Sequence, residues 1–135
     1  MHKAFTVLTR LLMVAVVVQF FLAASGAFDT APHDESFQTH RALGYAIILF
    51  ALVLTIVAAA ARLPGRIVGL TGLIAGLAAA QSVLHVLAEA FGDTSGRLVF
   101  GLHAVNGLAI LAVVRTVMRQ AGEPSSLTAP ARPVS

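Results

Sequence analysis

The chain has 135 residues, of which 58% are hydrophobic and 11% are charged, with a mean hydropathy of +0.89 and a formal net charge of +3. Soluble domains carry about 25% charged residues and leave much of their surface in water, so this composition excludes a soluble globular fold. The basic residues stand at the ends of apolar runs, which argues against a nucleic-acid partner, and the lack of cysteine excludes disulfides, thiolate metal sites and cysteine nucleophiles.

Four apolar segments follow one another, and each is long enough to cross about 30 Å of hydrocarbon as an α-helix. They predict helices over about 5–28, 42–61, 67–91 and 98–118. A polar segment at 29–39 separates the first two, and Pro64 and Gly65 mark a tight turn before the third. The Pro-rich residues 122–135 predict a disordered cytoplasmic tail. The predicted fold is all-α, an integral membrane four-helix bundle forming one domain over 1–121.

The distribution of Lys and Arg predicts the orientation of the helices. Only Arg41 and Arg97 fall on one side of the membrane, together with five of the six acidic residues. The other seven fall on the opposite side: Lys3, Arg10, Arg62, Arg66, Arg115, Arg119 and Arg132. Because cytoplasmic segments carry the excess of positive charge, we expect a plasma-membrane protein with both termini in the cytoplasm.

An internal repeat appears when the chain is compared with itself at a shift of 63 residues. The matches include Phe37 with Phe100, His40 with His103, and Gly44 with Gly107. Such a match predicts a duplicated unit, here two tandem helical hairpins of the same orientation, related by a pseudo-twofold axis along the membrane normal.

The first helix has a competing interpretation as a secretory signal peptide. Lys3, the apolar run and the small residues Ser25-Gly26-Ala27 are typical of such a segment, and cleavage would leave three helices. Cleavage would also break one copy of the repeat. The repeat therefore favours retention of the first helix.

Strongly polar residues of the predicted helices lie in one layer near the outer surface. Gln81, His85 and Glu89 recur every four residues, so they share one helical face. Gln19 lies at a comparable depth in the first helix, and His40 and His103 stand near the outer starts of the second and fourth helices. Polar groups inside membrane helices usually face the bundle interior, which makes this layer the candidate site.

The two histidines that the repeat relates suggest a haem site. Each is followed four residues later by a glycine, Gly44 or Gly107, which would leave a flat slot beside the imidazole. Two imidazoles on facing helices can serve as the two axial ligands of haem b iron. Arg41, and likewise Arg97, stands at the outer rim, where a guanidinium could pair with the propionates.

A packing interpretation stands beside the haem hypothesis. Glycines often only permit close contact between membrane helices, and a histidine near the interface can simply bond a carbonyl or a neighbour such as Glu89. Leu22 occupies the position that matches His85 in the repeat, so His85 has no counterpart of its own type. It is either a packed polar residue or a group that supports the haem site. Gln19 and Gln81 could support that site in the same way.

The segment His40-Arg41-Ala42-Leu43-Gly44, together with Leu102-His103 opening the last helix, resembles one four-helix half of haem A synthase. The resemblance implies haem ligation by His40 and His103. Phe37 stands where that family's catalytic half has a glutamate, and the loop cysteine pair of some members is missing. The chain also resembles small four-helix membrane proteins of actinobacteria, a family of unknown function with HRxLG and LHxxNG patterns.

Three hypotheses follow. The first is a b-type haem protein that passes electrons or holds haem for a partner, with no residue predicted to be catalytic. The second is a non-catalytic accessory or scaffold subunit of a larger membrane complex, without a cofactor, contacting its partner through small-residue faces such as Gly69, Gly72 and Gly76. The third is a small transporter or quinone-reactive site lined by Gln19, Gln81, His85 and Glu89, which the apolar cytoplasmic half disfavours.

Overall fold

The computed structural model describes residues 2–122, apart from the side chains of residues 2 and 93. These residues form five helices: α1 His2–Ala27, α2 His33–Ser36, α3 Gln38–Ala60, α4 Gly65–Phe91 and α5 Asp93–Gly122. The predicted tail from residue 123 onwards lies outside the described residues.

The observed helix ends differ from the predicted ones at the end of the bundle that lies opposite residues 2 and 122, which we call the outer end. The polar segment contains the single-turn helix α2, and α3 begins at Gln38, so His40 lies within its first turn. The loop predicted over 92–97 is reduced to Gly92, because α5 begins at the next residue. Gly92 makes this sharp turn with a φ of +68°, a left-handed conformation that glycine adopts at little steric cost.

Four of the helices are long and apolar enough to span a membrane. They cover Lys3–Ala27, Gln38–Ala60, Gly65–Phe91 and Thr94–Gly122. Together with the composition, these helices confirm the prediction of an all-α, multi-pass membrane protein.

The four long helices pack in a ring. Helix α1 packs against α3 and α5, and α4 packs against α3 and α5. Within residues 2–122, the diagonal pairs α1 with α4 and α3 with α5 do not approach each other through their backbones. Side chains that extend along either diagonal therefore meet near the axis of the bundle.

The buried positions recur between the two long hairpins in a consistent register. In α1 and α4 they are 62 residues apart: Phe5 and Ile67, Thr9 and Thr71, Leu12 and Ile74, Val16 and Ala78. In α3 and α5 they are 63 residues apart: Ile47 and Ile110, Ala51 and Val114, Leu54 and Val117. The single shift of 63 residues expected from the sequence thus holds for the second helix of each hairpin, whereas the first helices match at 62. Gln19 thereby corresponds to Gln81.

Candidate functional site: a histidine layer at the outer end of the bundle

His40 and His103 extend toward each other from the diagonal helices α3 and α5. The centroids of their imidazole rings are 6.2 Å apart and the ring planes are inclined by 45°. Both side chains are half-buried. The structure therefore brings together the two histidines that the repeat singled out, close to the axis of the bundle.

A reciprocal pair of hydrogen bonds fixes His40 to helix α1. The His40 Nδ1 atom lies 3.2 Å from the backbone oxygen of Gln19, and the Gln19 side-chain amide donates to the backbone oxygen of His40 at 2.8 Å. With the proton on Nδ1, the lone pair of the neutral ring is on Nε2. The carbonyl of Gln19 thus sets both the tautomer and the orientation of the imidazole, as the partners of metal-binding histidines commonly do.

The glycine that follows His40 by one turn makes this contact possible. A Cβ atom on Gly44 would stand 3.1 Å from the Gln19 side-chain nitrogen, closer than the amide could tolerate without shifting. The lack of a side chain lets the amide reach the carbonyl of His40. The histidine-glycine spacing thus has a local structural cause in the first hairpin.

The second hairpin repeats the arrangement with small differences. The imidazole of His103 lies beside the backbone of Gln81, and a Cβ atom on Gly107 would stand 3.4 Å from the Gln81 side-chain nitrogen. The same Cβ atom would stand 3.1 Å from the Phe20 ring of α1. The slots expected to stand open beside Gly44 and Gly107 are therefore covered, because two glutamine side chains and one phenylalanine pack against them.

Each histidine also contacts the phenylalanine that precedes it by three residues. Phe37 meets His40 edge to face with a centroid distance of 6.1 Å, and Phe100 stacks on His103 at 5.3 Å with the planes 5° apart. Sequence reasoning gave these two phenylalanines no role, although their match in the repeat was a usable signal. It also missed Asn106, which donates to the carbonyl of Leu77 at 2.8 Å and links α5 to α4.

Three buried polar atoms of this layer have no hydrogen-bond partner within the described part of the chain. They are Oε1 of Gln19, Oε1 of Gln81 and Nδ1 of His103, although the His103 imidazole interacts with the backbone of Gln81. Buried polar atoms are nearly always paired, and a water, an ion or a ligand can supply a partner that the protein does not. All three belong to the histidine layer, which consists of Gln19, His40, Gln81 and His103. This layer is therefore the best-supported binding site in the bundle.

The remaining predicted residues lie around the outer mouth of the bundle. His85 contacts Glu89 through Nε2 and Oε1 at 3.4 Å, and both line a cleft together with Arg97. Arg41 does not line this cleft. It pairs with Asp34 of α2 at 3.6 Å and donates to the Asp34 backbone oxygen at 2.6 Å. The structure therefore assigns Arg41 to holding the outer loop.

His40 and His103 are of the residue type that binds one metal from two sides, whereas the space beside Gly44 and Gly107 is filled by other side chains. Two imidazole nitrogens bound to opposite faces of one metal lie about 4 Å apart, which puts the ring centroids about 6 Å apart. The observed centroid distance of 6.2 Å is close to that separation, whereas Nε2 of His40 lies 3.4 Å from the Gln19 side-chain nitrogen. A macrocycle needs the side chains of Gln19, Phe20 and Gln81 to turn aside. Among the described residues, no three His, Asp or Glu side chains could together hold a bare metal ion.

These features define a class of protein: a small multi-pass membrane bundle with one polar layer near one end. Residues 19–89 match the model of a family of unknown function, DUF6220, and because this is 71 of the 135 residues, the chain belongs to that family. The match confirms the resemblance to a family of unknown function, but nothing in the comparisons links the chain to haem A synthase. No curated protein and no solved structure matches the chain.

Proposed function

We propose that this membrane protein binds haem b between His40 and His103 and uses it to pass electrons or to hold haem for a partner. The observation that carries the proposal is the approach of the two imidazoles from diagonal helices to a centroid distance of 6.2 Å. When bound, haem supplies a one-electron redox centre whose potential depends on its axial ligands and surroundings.

The contribution of the chain to such a site is orientation. The Gln19 carbonyl accepts a hydrogen bond from Nδ1–H of His40, and Phe37 limits rotation of the ring by edge contact. The lone pair on Nε2 faces the Gln19 side-chain amide at 3.4 Å, and iron would replace that amide. On the other side, Phe100 stacks on His103 and restricts it in the same way. The atoms of Gln19, Phe20 and Gln81 that lie nearest to the glycines are the ends of these side chains, which move by rotation about side-chain bonds.

Absorbance of the purified protein tests the proposal. We expect protein from haem-supplied cells to show a Soret band and sharp reduced α and β bands, with about one haem per chain. His40→Ala and His103→Ala should each lose these bands, because six-coordinate ligation needs both imidazoles. His33→Ala is the matched control: the same change in the outer helix α2 should leave the spectrum unchanged. Colourless wild-type protein from those cells contradicts the proposal.

A second candidate function, an accessory subunit without a cofactor, is favoured by the open glycine faces of α4. Cβ atoms on Gly69 and Gly76 would meet nothing within 4 Å, and one on Gly72 would meet only Thr55, at 3.8 Å. Small residues four apart let a second membrane helix approach closely. Stable co-purification of a membrane partner, lost in Gly76→Leu and unaffected by His40→Ala, would support this function over haem binding.

We also infer that both termini are cytoplasmic, in the plasma membrane, and that the hairpins are related by a pseudo-twofold axis along the membrane normal. The recurrence of buried positions and the seven-to-two distribution of Lys and Arg support these inferences.

Cysteine labelling tests the orientation without background, because the chain contains no cysteine. Ser95→Cys lies at the exposed outer start of α5, and Gly122→Cys at its exposed other end. A membrane-impermeant maleimide is expected to label the first variant in intact cells and the second only after lysis. The reverse pattern would invert the topology.

A further inference from the structure

The outer mouth of the bundle contains a cleft of about 730 Å³ that the proposed function does not use. It lies between α2, the end of α4 and the start of α5. Its lining includes His85, Glu89, Arg97 and Phe100. The cleft is shallow and open on one side, and its volume lies within the range of about 300–1,000 Å³ that small-molecule sites occupy.

Hydrogen-bonding groups stand on two helices that border this cleft. On α4, His85 is one-third exposed and is held at 3.4 Å by the carboxylate of Glu89. On α5, Arg97 has a single long contact, 3.5 Å to the hydroxyl of Thr94, among the residues described here. The guanidinium thus keeps most of its N–H donors available, and the imidazole can donate or accept.

An aromatic surface and an apolar rim complete the cleft. Phe100 lines it and stacks on His103, so a planar ring entering the cleft can meet an aromatic face. Beside the mouth, Phe91 is 60% exposed and Leu98 is 73% exposed. Both belong to membrane-spanning helices, so the mouth can be reached from the lipid as well as from water.

We propose that this cleft binds the headgroup of a membrane-dissolved quinone. Such a headgroup is a planar ring with oxygens at opposite edges, which matches hydrogen-bonding groups on two separate helices beside an aromatic face. One oxygen accepts a hydrogen bond from Nδ1–H of His85 in its protonated form, while Nε2–H stays on the Glu89 carboxylate, and the other oxygen accepts from Arg97. The apolar tail leaves between Phe91 and Leu98. This site goes beyond the proposed function, because binding requires no cofactor on the histidine pair.

Binding of 2-methyl-1,4-naphthoquinone to the full chain in lipid nanodiscs tests the proposal, with empty nanodiscs subtracted. Equilibrium dialysis is expected to find one site per chain. His85→Ala and Arg97→Gln should each weaken binding about tenfold, because each removes one hydrogen bond to a ring oxygen. Arg66→Gln is the matched control, since it removes the same charge from an exposed position at the opposite end of the bundle, and its affinity should equal that of wild type.

The assay is run on pigmented and on colourless preparations, so that failure of the haem proposal is separate from failure of this one. Saturable binding to colourless protein, weakened by His85→Ala and Arg97→Gln, supports the quinone site whatever the absorbance shows. Three outcomes overturn it: no binding above empty nanodiscs, equal affinity in all variants, or tight binding of 1-naphthoate with none of the quinone. Circular dichroism and size exclusion establish that each variant is folded.

Discussion

Gly96→Ala is expected to destabilise the protein strongly, because the added methyl group would overlap the backbone oxygen of Ala88. A backbone atom in the preceding helix cannot turn aside as a side chain can. Gly96 also donates its N–H to the carbonyl of Gly92 at 2.7 Å, so α5 cannot shift without breaking the turn. Overpacking of this kind costs about 1–3 kcal/mol or more. Thermal unfolding in detergent, followed by circular dichroism, measures the loss.

Gly101→Ala is the control for this substitution. Gly101 lies in the same helix, and a Cβ atom there would meet nothing within 4 Å. Alanine has a higher helix propensity than glycine by about 1 kcal/mol, so this variant should be as stable as wild type or more stable. Equal unfolding temperatures for the two variants would show that α4 and α5 do not approach each other as closely as described.

Gly44→Ala is expected to weaken the contact between Gln19 and His40, with an effect that depends on Gln19. With Gln19 present, the methyl group would stand 3.1 Å from the side-chain nitrogen, which must shift by a few tenths of an ångström and so strain its bond to the His40 carbonyl. In a Gln19→Ala background there is no amide to displace, and the same substitution should stabilise helix α3. A double-mutant cycle on the free energy of unfolding should give a coupling of about 1–3 kcal/mol.

Additive effects of these two substitutions would contradict the reciprocal hydrogen bonding. Thr55→Ala in the same two backgrounds is the matched control, because the Thr55 hydroxyl bonds the carbonyl of Ala51 in its own helix. Its effect should be the same with and without Gln19.

The number and order of the membrane helices could be predicted from the sequence, because an apolar run long enough to span the bilayer has few other stable structures. The positions at which the helices begin and end at the outer end of the bundle could not be predicted. Residues 38–41 are polar, so hydropathy excluded them from the second helix, yet their backbone groups continue α3. In the same way, the residues after Gly92 read as a loop, and a single glycine with positive φ proved sufficient to turn the chain.

The pairing of His40 with His103 was predictable because identical residues recur at one spacing. The role of Gln19 was not predictable, since both hydrogen bonds between Gln19 and His40 end on a backbone oxygen, and backbone acceptors leave no pattern in a sequence. A comparison without gaps also placed Ser82 opposite Gln19, because the first helices match at 62 residues and not 63. The same limit applies to Arg41, whose partner Asp34 lies in a loop helix too short to recognise from periodicity.

Each hairpin supplies one glutamine, one histidine and one glycine to the polar layer. A single hairpin associated side by side with an identical copy would therefore present the same six groups. In such a dimer any substitution would alter both hairpins at once, because they have the same sequence. Two hairpins in one chain are free of that restriction, and here His85, Glu89 and Arg97 occur in the second hairpin alone, where they line a cleft on one side of the bundle.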